Sequence, residues 1–175
     1  MVWKELRKEE IELKLFENFE RYQQVTKCWR KIEGEWVIKE IAFLEQWGEE
    51  EYKTLVSCLR NTVSTGGVVF GVFIDDCLKG FASVEHDYLG CKKEYMDLSC
   101  IHASADQRGK GIGRLLFHLC ADWAKKLGAK KLYISAHSSV ESQAFYKAMG
   151  CREAEEYNKE HVEKEPCDCQ LEFVL

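Results

Sequence analysis

The stretch Gln107-Arg108-Gly109-Lys110-Gly111-Ile112-Gly113-Arg114 constrains this chain more than any other. Three glycines alternate with other residues, and an amphipathic run begins among them. Ile112, Leu115, Leu116, Leu119, Trp123 and Leu127 fall at i, i+3, i+4, i+7, i+11 and i+15, one face of a helix, and Gly128 supplies a left-handed cap. Before the glycines, Tyr95 to Ala103 reads as a strand. Glycines at such a junction let the backbone curl tightly and approach a ligand closely. The N–H groups of the first helical turn have no partner inside the helix, so they can donate to phosphate oxygens. The helix dipole and Arg108, Lys110 and Arg114 add positive charge there.

Two familiar phosphate loops are excluded. No Gly-Lys-Ser/Thr closes a six-residue glycine spacing, so the hydroxyl that a P-loop offers to magnesium is missing. A dinucleotide fingerprint needs Gly-x-Gly-x-x-Gly, whereas Gly109, Gly111 and Gly113 alternate, after a strand that does not open a βαβ unit.

The rest of the chain reads as α/β. Ile11, Leu15, Phe16 and Phe19 predict a short amphipathic helix within Lys8 to Glu20. Gln23 to Arg30 and Glu35 to Phe43 flank Glu33-Gly34 and predict a hairpin. Tyr52, Leu55, Val56, Leu59 and Val63 predict a helix from Gly48 to Val63. Val68 to Ile74 and Leu78 to Glu85, joined by Asp75-Asp76, predict an antiparallel hairpin. After the glycine-led helix come a strand from Lys131 to Ala136, a helix from Ser139 to Met149 stopped by Gly150, and a strand from Gln170 to Leu175. The late β-α-β order predicts a parallel pair by right-handed crossover, and the earlier hairpins make the sheet mixed.

Composition narrows the function. The 175 residues carry a net charge of -5, which gives no basic footprint for nucleic acid and leans slightly toward a cationic small molecule. The apolar run from Val68 to Ile74 is far short of a membrane span, and no apolar segment follows a basic start, so neither a membrane nor a secretory signal is expected. Nine cysteines, an odd number, read as free thiols in a reducing cytoplasm rather than a disulfide framework. Cys167-x-Cys169 lacks the further ligands of a zinc site, and no metal is expected.

Arg108-x-x-Gly111-x-Gly113, after a strand ending Ile101-His102-Ala103, resembles the acyl-CoA signature of the GNAT superfamily of N-acetyltransferases. Ala144-Phe145-Tyr146-Lys147-Ala148-Met149-Gly150-Cys151 resembles the family's Ala-x-Tyr-x-x-x-Gly-Phe segment, with Cys151 in place of the usual Phe. The resemblance covers Val68 to Cys151 and implies one domain over residues 1–175: a variable acceptor side (1–65), a CoA-binding core (66–151) and C-terminal strands (152–175). It implies a mixed, mostly antiparallel sheet with helices on both faces and two splayed central parallel strands, Tyr95–Ala103 and Lys131–Ala136. Acetyl-CoA would wedge between them as cosubstrate. The backbone of Ile101, His102 and Ala103 would pair with its pantetheine arm. Arg108, Gly109, Lys110, Gly111, Ile112, Gly113 and Arg114 would hold the pyrophosphate. Ser139 stands where many members carry a pantetheine-binding Asn, with Ser142 or Ser138 as substitutes. A homodimer is compatible with the family's habits.

The reaction implied is direct attack of a primary amine, on a small molecule or peptide, on the acetyl thioester. Tyr146 stands where the family places the acid that protonates the leaving thiolate. Asp97 falls where histone-acetylating members carry a glutamate base; Glu85, Glu94 and His102 are alternatives. His118, His137 and His161 carry no motif and read as surface residues. Trp36, Phe43 and Trp47 would either cover the sheet or line an acceptor pocket. A non-catalytic acyl-CoA-binding module of the same fold is the competing reading, against which Tyr146 argues.

Overall fold

A computed structural model describes all residues from Met1 to Leu175. Its elements run β1 (Val2–Glu5), β2 (Tyr22–Ile32), β3 (Glu35–Gln46), α1 (Glu49–Ser64), β4 (Val68–Ile74), β5 (Cys77–Leu89), β6 (Tyr95–Ala103), α2 (Ile112–Lys126), β7 (Lys131–Ala136), α3 (Val140–Met149), β8 (Arg152–Glu153), α4 (Lys159–Lys164) and β9 (Cys169–Val174). Seven strands form one sheet in the order β1-β4-β5-β6-β7-β9-β8. β2 and β3 form a separate hairpin. Two tight turns explain the two sequence-local hairpins. Glu33 and Gly34 have φ of 50° and 86°, and Asp75 and Asp76 have 50° and 60°. Paired left-handed residues match the twist of antiparallel strands.

The α2 face carries the larger core. Val68, Phe70 and Val72 of β4, Ala82 and Val84 of β5, Met96 and Leu98 of β6 and Leu132 and Ile134 of β7 meet Ile112, Leu116, Phe117 and Cys120. Phe117 packs edge-on to Phe145 of α3 and Phe173 of β9, at 6.3 and 5.1 Å. Gly80 lets α2 settle on the sheet: a Cβ there would stand 2.3 Å from Ile112 Cγ2. The opposite face is covered by α1 and the N-terminal segment, with Leu59, Val69 and Phe81 fully buried there.

The only parallel pair is β6–β7, and it is short. Tyr95, Met96 and Asp97 pair with Lys131, Leu132 and Tyr133, and the ladder then stops. Beyond it β7 pairs with β9 alone, and β6 with β5 alone. The two central strands therefore part toward their C-terminal ends. A second irregularity sets which side chains face the gap. Ser83 pairs with Cys100 but Val84 with Leu98, so Ser99 is an extra residue in β6. Such a bulge reverses the alternation of side chains. Leu98, Ile101 and Ala103 accordingly all face α2, and Cys100 and His102 face α1.

One expectation needs correction, and three elements are new. Lys8 to Glu20 forms no α-helix but two 3₁₀ turns, Lys8–Glu10 and Leu13–Phe16. The apolar residues there answer to the sheet rather than to a helical face: Phe16 and Phe19 insert against Phe81 at 5.4 and 5.1 Å. β1, unseen in the sequence, pairs antiparallel with β4 and forms one sheet edge. α4 and the two-residue β8 were also unmarked; α4 buries no residue completely, so no apolar period announces it.

Candidate active site

The parting strands open two adjoining cavities. The first, about 590 Å³, runs between the C-terminal end of β6, the glycine loop and α3. Gly109 and Gly111 have φ of 75° and 85°, a left-handed backbone, and a Cβ on either would meet nothing within 4 Å. Conformation, not crowding, requires glycine at these two places. Gly111 is the N-cap of α2, so the free N–H groups of its first turn open beside the cavity. Gly113 serves packing instead: its Cα approaches Phe145 so closely that a Cβ would lie 3.1 Å from the ring. Arg108 and Arg114 line the cavity, whereas Lys110 does not and donates to Gln107 Oε1 at 2.9 Å.

The second cavity, about 420 Å³, lies on the other side of β6 and shares Gln23, Ile101, Ala103, Arg108, Ser142 and Tyr146 with the first. Its own wall comes from both ends of the chain: Arg21, Glu45 and Trp47 from around the hairpin, Glu165 and Asp168 from the segment after α4. Arg21 Nη2 pairs with Glu45 Oε2 at 2.8 Å, and its guanidinium lies 5.3 Å from the Trp47 ring centre. Arg108 forms no ion pair, and burial holds it below the usual arginine range. It is a cation without a protein counter-ion, facing both cavities. Asp168 accepts a hydrogen bond from Ser135 Oγ at 3.2 Å. Burial raises its pKa, and Glu165 and Glu45 raise it further.

Tyr146 stands where the cavities join. It is 8% exposed, and burial drives its phenol well above the ordinary tyrosine range. Ile101 and Ala103 also line both cavities, and Ile112 lines the first. His102 lines only the second. Its ring packs against Trp47 at 4.9 Å and Phe81 at 5.2 Å. Burial, with Arg21 and Arg108 nearby, pushes it down to about 3. A base that weak is already neutral at physiological pH and takes up an ammonium proton poorly.

Besides Lys110, two predicted residues lie away from the cavities. Ser139 is fully buried and caps α3, accepting from the Ser142 N–H at 3.2 Å and from Gln23 Nε2 at 3.2 Å. Its hydroxyl is committed to holding the helix, and Ser142 is the serine that reaches both cavities. Asp97 lines neither cavity. It is 6% exposed, before the bulge, and its Oδ2 lies 2.8 Å from His161 Nε2. His161 is therefore no free surface residue, and His137 lines the second cavity, 3.6 Å from Glu45. Of the three aromatics, Trp47 lines that cavity, Trp36 donates to Glu153 at 3.0 Å and Phe43 packs on His137 at 5.7 Å. Arg21, Glu45, Glu165 and Asp168 went unmarked in the sequence because no local motif carries them.

The sheet thus opens between its two parallel strands, with a glycine-led helix at the opening. The family model described as "Acetyltransferase (GNAT) family" matches residues 12–151. The chain belongs to this GNAT acetyltransferase family. No curated protein matches the sequence. Among solved structures, a protein of Bacillus anthracis str. Ames, assigned as a streptothricin acetyltransferase and solved in complex with acetyl coenzyme A, is similar at TM-score 0.75 and 13% identity, over 99% of this chain and 98% of that one. Nourseothricin acetyltransferase is similar at TM-score 0.66 and 15% identity, covering 98% and 95%. An IAA acetyltransferase from Bacillus cereus gives TM-score 0.58 and 18% identity, covering 99% of each chain. At these identities the likeness is one of fold. No helix is long and apolar enough to cross a membrane.

Proposed function

We propose that this chain transfers the acetyl group of acetyl-CoA to a primary amine of a small molecule or peptide. The observation that carries the reading is the meeting of two cavities at Tyr146, between strands that have parted. The first cavity suits the donor. Backbone N–H groups at Gly111 and beyond, with Arg108 and Arg114, would hold pyrophosphate, and the unpaired edge of β6 at Ile101 to Ala103 would hold the pantetheine amides. The second cavity suits the acceptor: Glu45 is taken up by Arg21, and Glu165 and Asp168, which form no ion pair, favour a cation.

An alkyl ammonium of pKa ~10 must lose its proton before it can attack. Asp168 is the group we assign to receive it, since it lines the acceptor cavity and burial makes it a stronger base than an ordinary carboxylate. The nitrogen then bonds to the carbonyl carbon, and the tetrahedral intermediate breaks its C–S bond. Tyr146 gives the departing thiolate a proton, and the second proton that the attacking nitrogen sheds on becoming an amide restores the phenol. In water a phenol of pKa ~10 protonates a thiolate of pKa ~8.5 uphill by roughly 2 kcal/mol. Burial raises the phenol, but a thiolate in the same site is raised for the same reason.

The test is thiol release from acetyl-CoA with a panel of monoamines, diamines, amino sugars and lysine peptides. Amines bearing a second positive charge should react fastest. Acetyl-CoA binding without thiol release for any amine would support the non-catalytic module instead.

A further inference from the structure

Asp97 occupies a base-like position in sequence yet lines neither cavity, and its surroundings give it different work. We propose that Asp97 and His161 form a clamp that positions the acceptor-side carboxylates Glu165 and Asp168, so that the acceptor's affinity, and not the acyl donor's, weakens as His161 loses its proton. This rests on assigning the second cavity to the acceptor.

The geometry is a short chain of contacts. Asp97 lies on the last rung of the β6–β7 ladder, opposite Tyr133, at the point where the strands begin to part. Its Oδ2 meets His161 Nε2 at 2.8 Å, while its Oδ1 is buried with no partner. The His161 ring lies flat on Tyr133, with centres 5.5 Å apart and planes 23° from parallel. The Tyr133 hydroxyl in turn accepts from the Asn158 N–H at 2.9 Å, and the Asn158 side chain caps α4 by accepting from the His161 N–H at 3.1 Å. At the other end of α4, the Glu165 N–H donates to the His161 carbonyl at 2.9 Å, and the Asp168 N–H to the Glu165 carbonyl at 3.0 Å. Glu165 and Asp168 then enter the cavity wall.

α4 needs such an anchor. It spans six residues, too few to persist alone in water, and none is completely buried. His161 and Val162 are its only half-buried residues. A half-unsatisfied carboxylate inside the protein is best compensated by a positive partner. The groups facing His161 are Asp97 on β6, Tyr133 on β7, and Lys164 and Glu160 on α4 itself. Its hydrogen bond with Asp97 leads in raising its pKa, and burial opposes it. A raised folded value means that the clamp's contribution is complete below the unfolded value of ~6.5 and is lost as pH rises through the folded one.

The experiment follows His161 by NMR titration and amide hydrogen exchange of residues 159–168 in the intact protein, corrected for intrinsic exchange rates. In Asp97→Asn, His161 should titrate at lower pH than in the wild type, since the partner that leads in raising it is gone while burial still lowers it, and exchange in 159–168 should rise about tenfold, with acetyl-CoA affinity unchanged. His161→Gln keeps a donor for Asp97 but cannot titrate, so its exchange should no longer vary between pH 6 and pH 9. With the best amine of the panel, Asp97→Asn should raise the amine KM about tenfold and leave kcat within about twofold. Unchanged protection of 159–168 in both variants overturns the proposal, and so does an equal rise throughout α2. A kcat loss at unchanged amine KM also overturns it. If the wild type binds no acetyl-CoA while the exchange pattern holds, the donor-site reading fails and the clamp stands as a tether.

Discussion

Replacing Tyr146 with Phe should lower kcat by about 10²- to 10⁴-fold, the usual contribution of a positioned acid, with the acetyl-CoA dissociation constant unchanged. The expectation follows from place and environment. Tyr146 borders both cavities, and its ring packs against Phe145 at 5.1 Å, a contact that phenylalanine keeps. Only the hydroxyl is lost. Because burial holds the phenol above its ordinary range, activity of the wild type should show no alkaline fall near pH 10 from this group. Steady-state kinetics with the best amine, beside calorimetric titration of acetyl-CoA, separate the two effects. An unchanged kcat would remove Tyr146 from the chemistry. A parallel loss of acetyl-CoA affinity would make it a binding residue.

The second large effect concerns stability. Glu172 of β9 is fully buried, yet its carboxylate pairs with two cations, Lys131 and Arg152. It accepts from Tyr95 Oη at 2.6 Å, Arg152 Nε at 2.9 Å, Lys131 Nζ at 3.1 Å and the Glu155 N–H at 3.2 Å. Burial alone would raise its pKa; these four donors outweigh it and bring the value down to about 2. Glu172→Ala leaves Tyr95 and Lys131 without that acceptor, a change that costs about 3–5 kcal/mol where a buried pair is broken. For a chain of this length that is a fall of about 6–20 °C in Tm. The sign of the acid response follows from the depressed value. Stability from Glu172 is present above the unfolded pKa of ~4.3 and is lost as pH falls toward about 2. Urea melts at pH 7 and pH 3 should therefore separate wild type from Glu172→Ala more at the first than at the second, the part of the gap that depends on ionisation falling by about half. Equal separation at both would assign the loss to packing.

What the sequence disclosed and what it hid divide along a physical line. The glycine loop, α2, α3 and the central strands were legible because their signals are local: left-handed glycines, a period of 3.6, a turn of two residues. The splay and the place of Tyr146 came with the resemblance to a family, and the structure supplies the short three-rung ladder behind it. The N-terminal segment misled because Ile11, Phe16 and Phe19 are apolar for the sheet's sake. Asp97 misled for a different reason. Counting along β6 cannot reveal that Ser99 bulges, nor that α4 returns from 64 residues away to place His161 on the carboxylate. The acceptor wall was invisible for the same cause, since Arg21, Glu45, Glu165 and Asp168 meet only in the folded chain.

The most direct measurement is thermal unfolding with and without acetyl-CoA. A ligand at about a hundred times its dissociation constant adds about 2.7 kcal/mol. For a domain of this length the midpoint should rise by about 5–11 °C. That rise, reduced in Gly111→Val, where the left-handed turn at the head of α2 is disfavoured, is the result the account predicts. No rise at millimolar acetyl-CoA would contradict it, because the loop would then not hold the donor on which every later step depends.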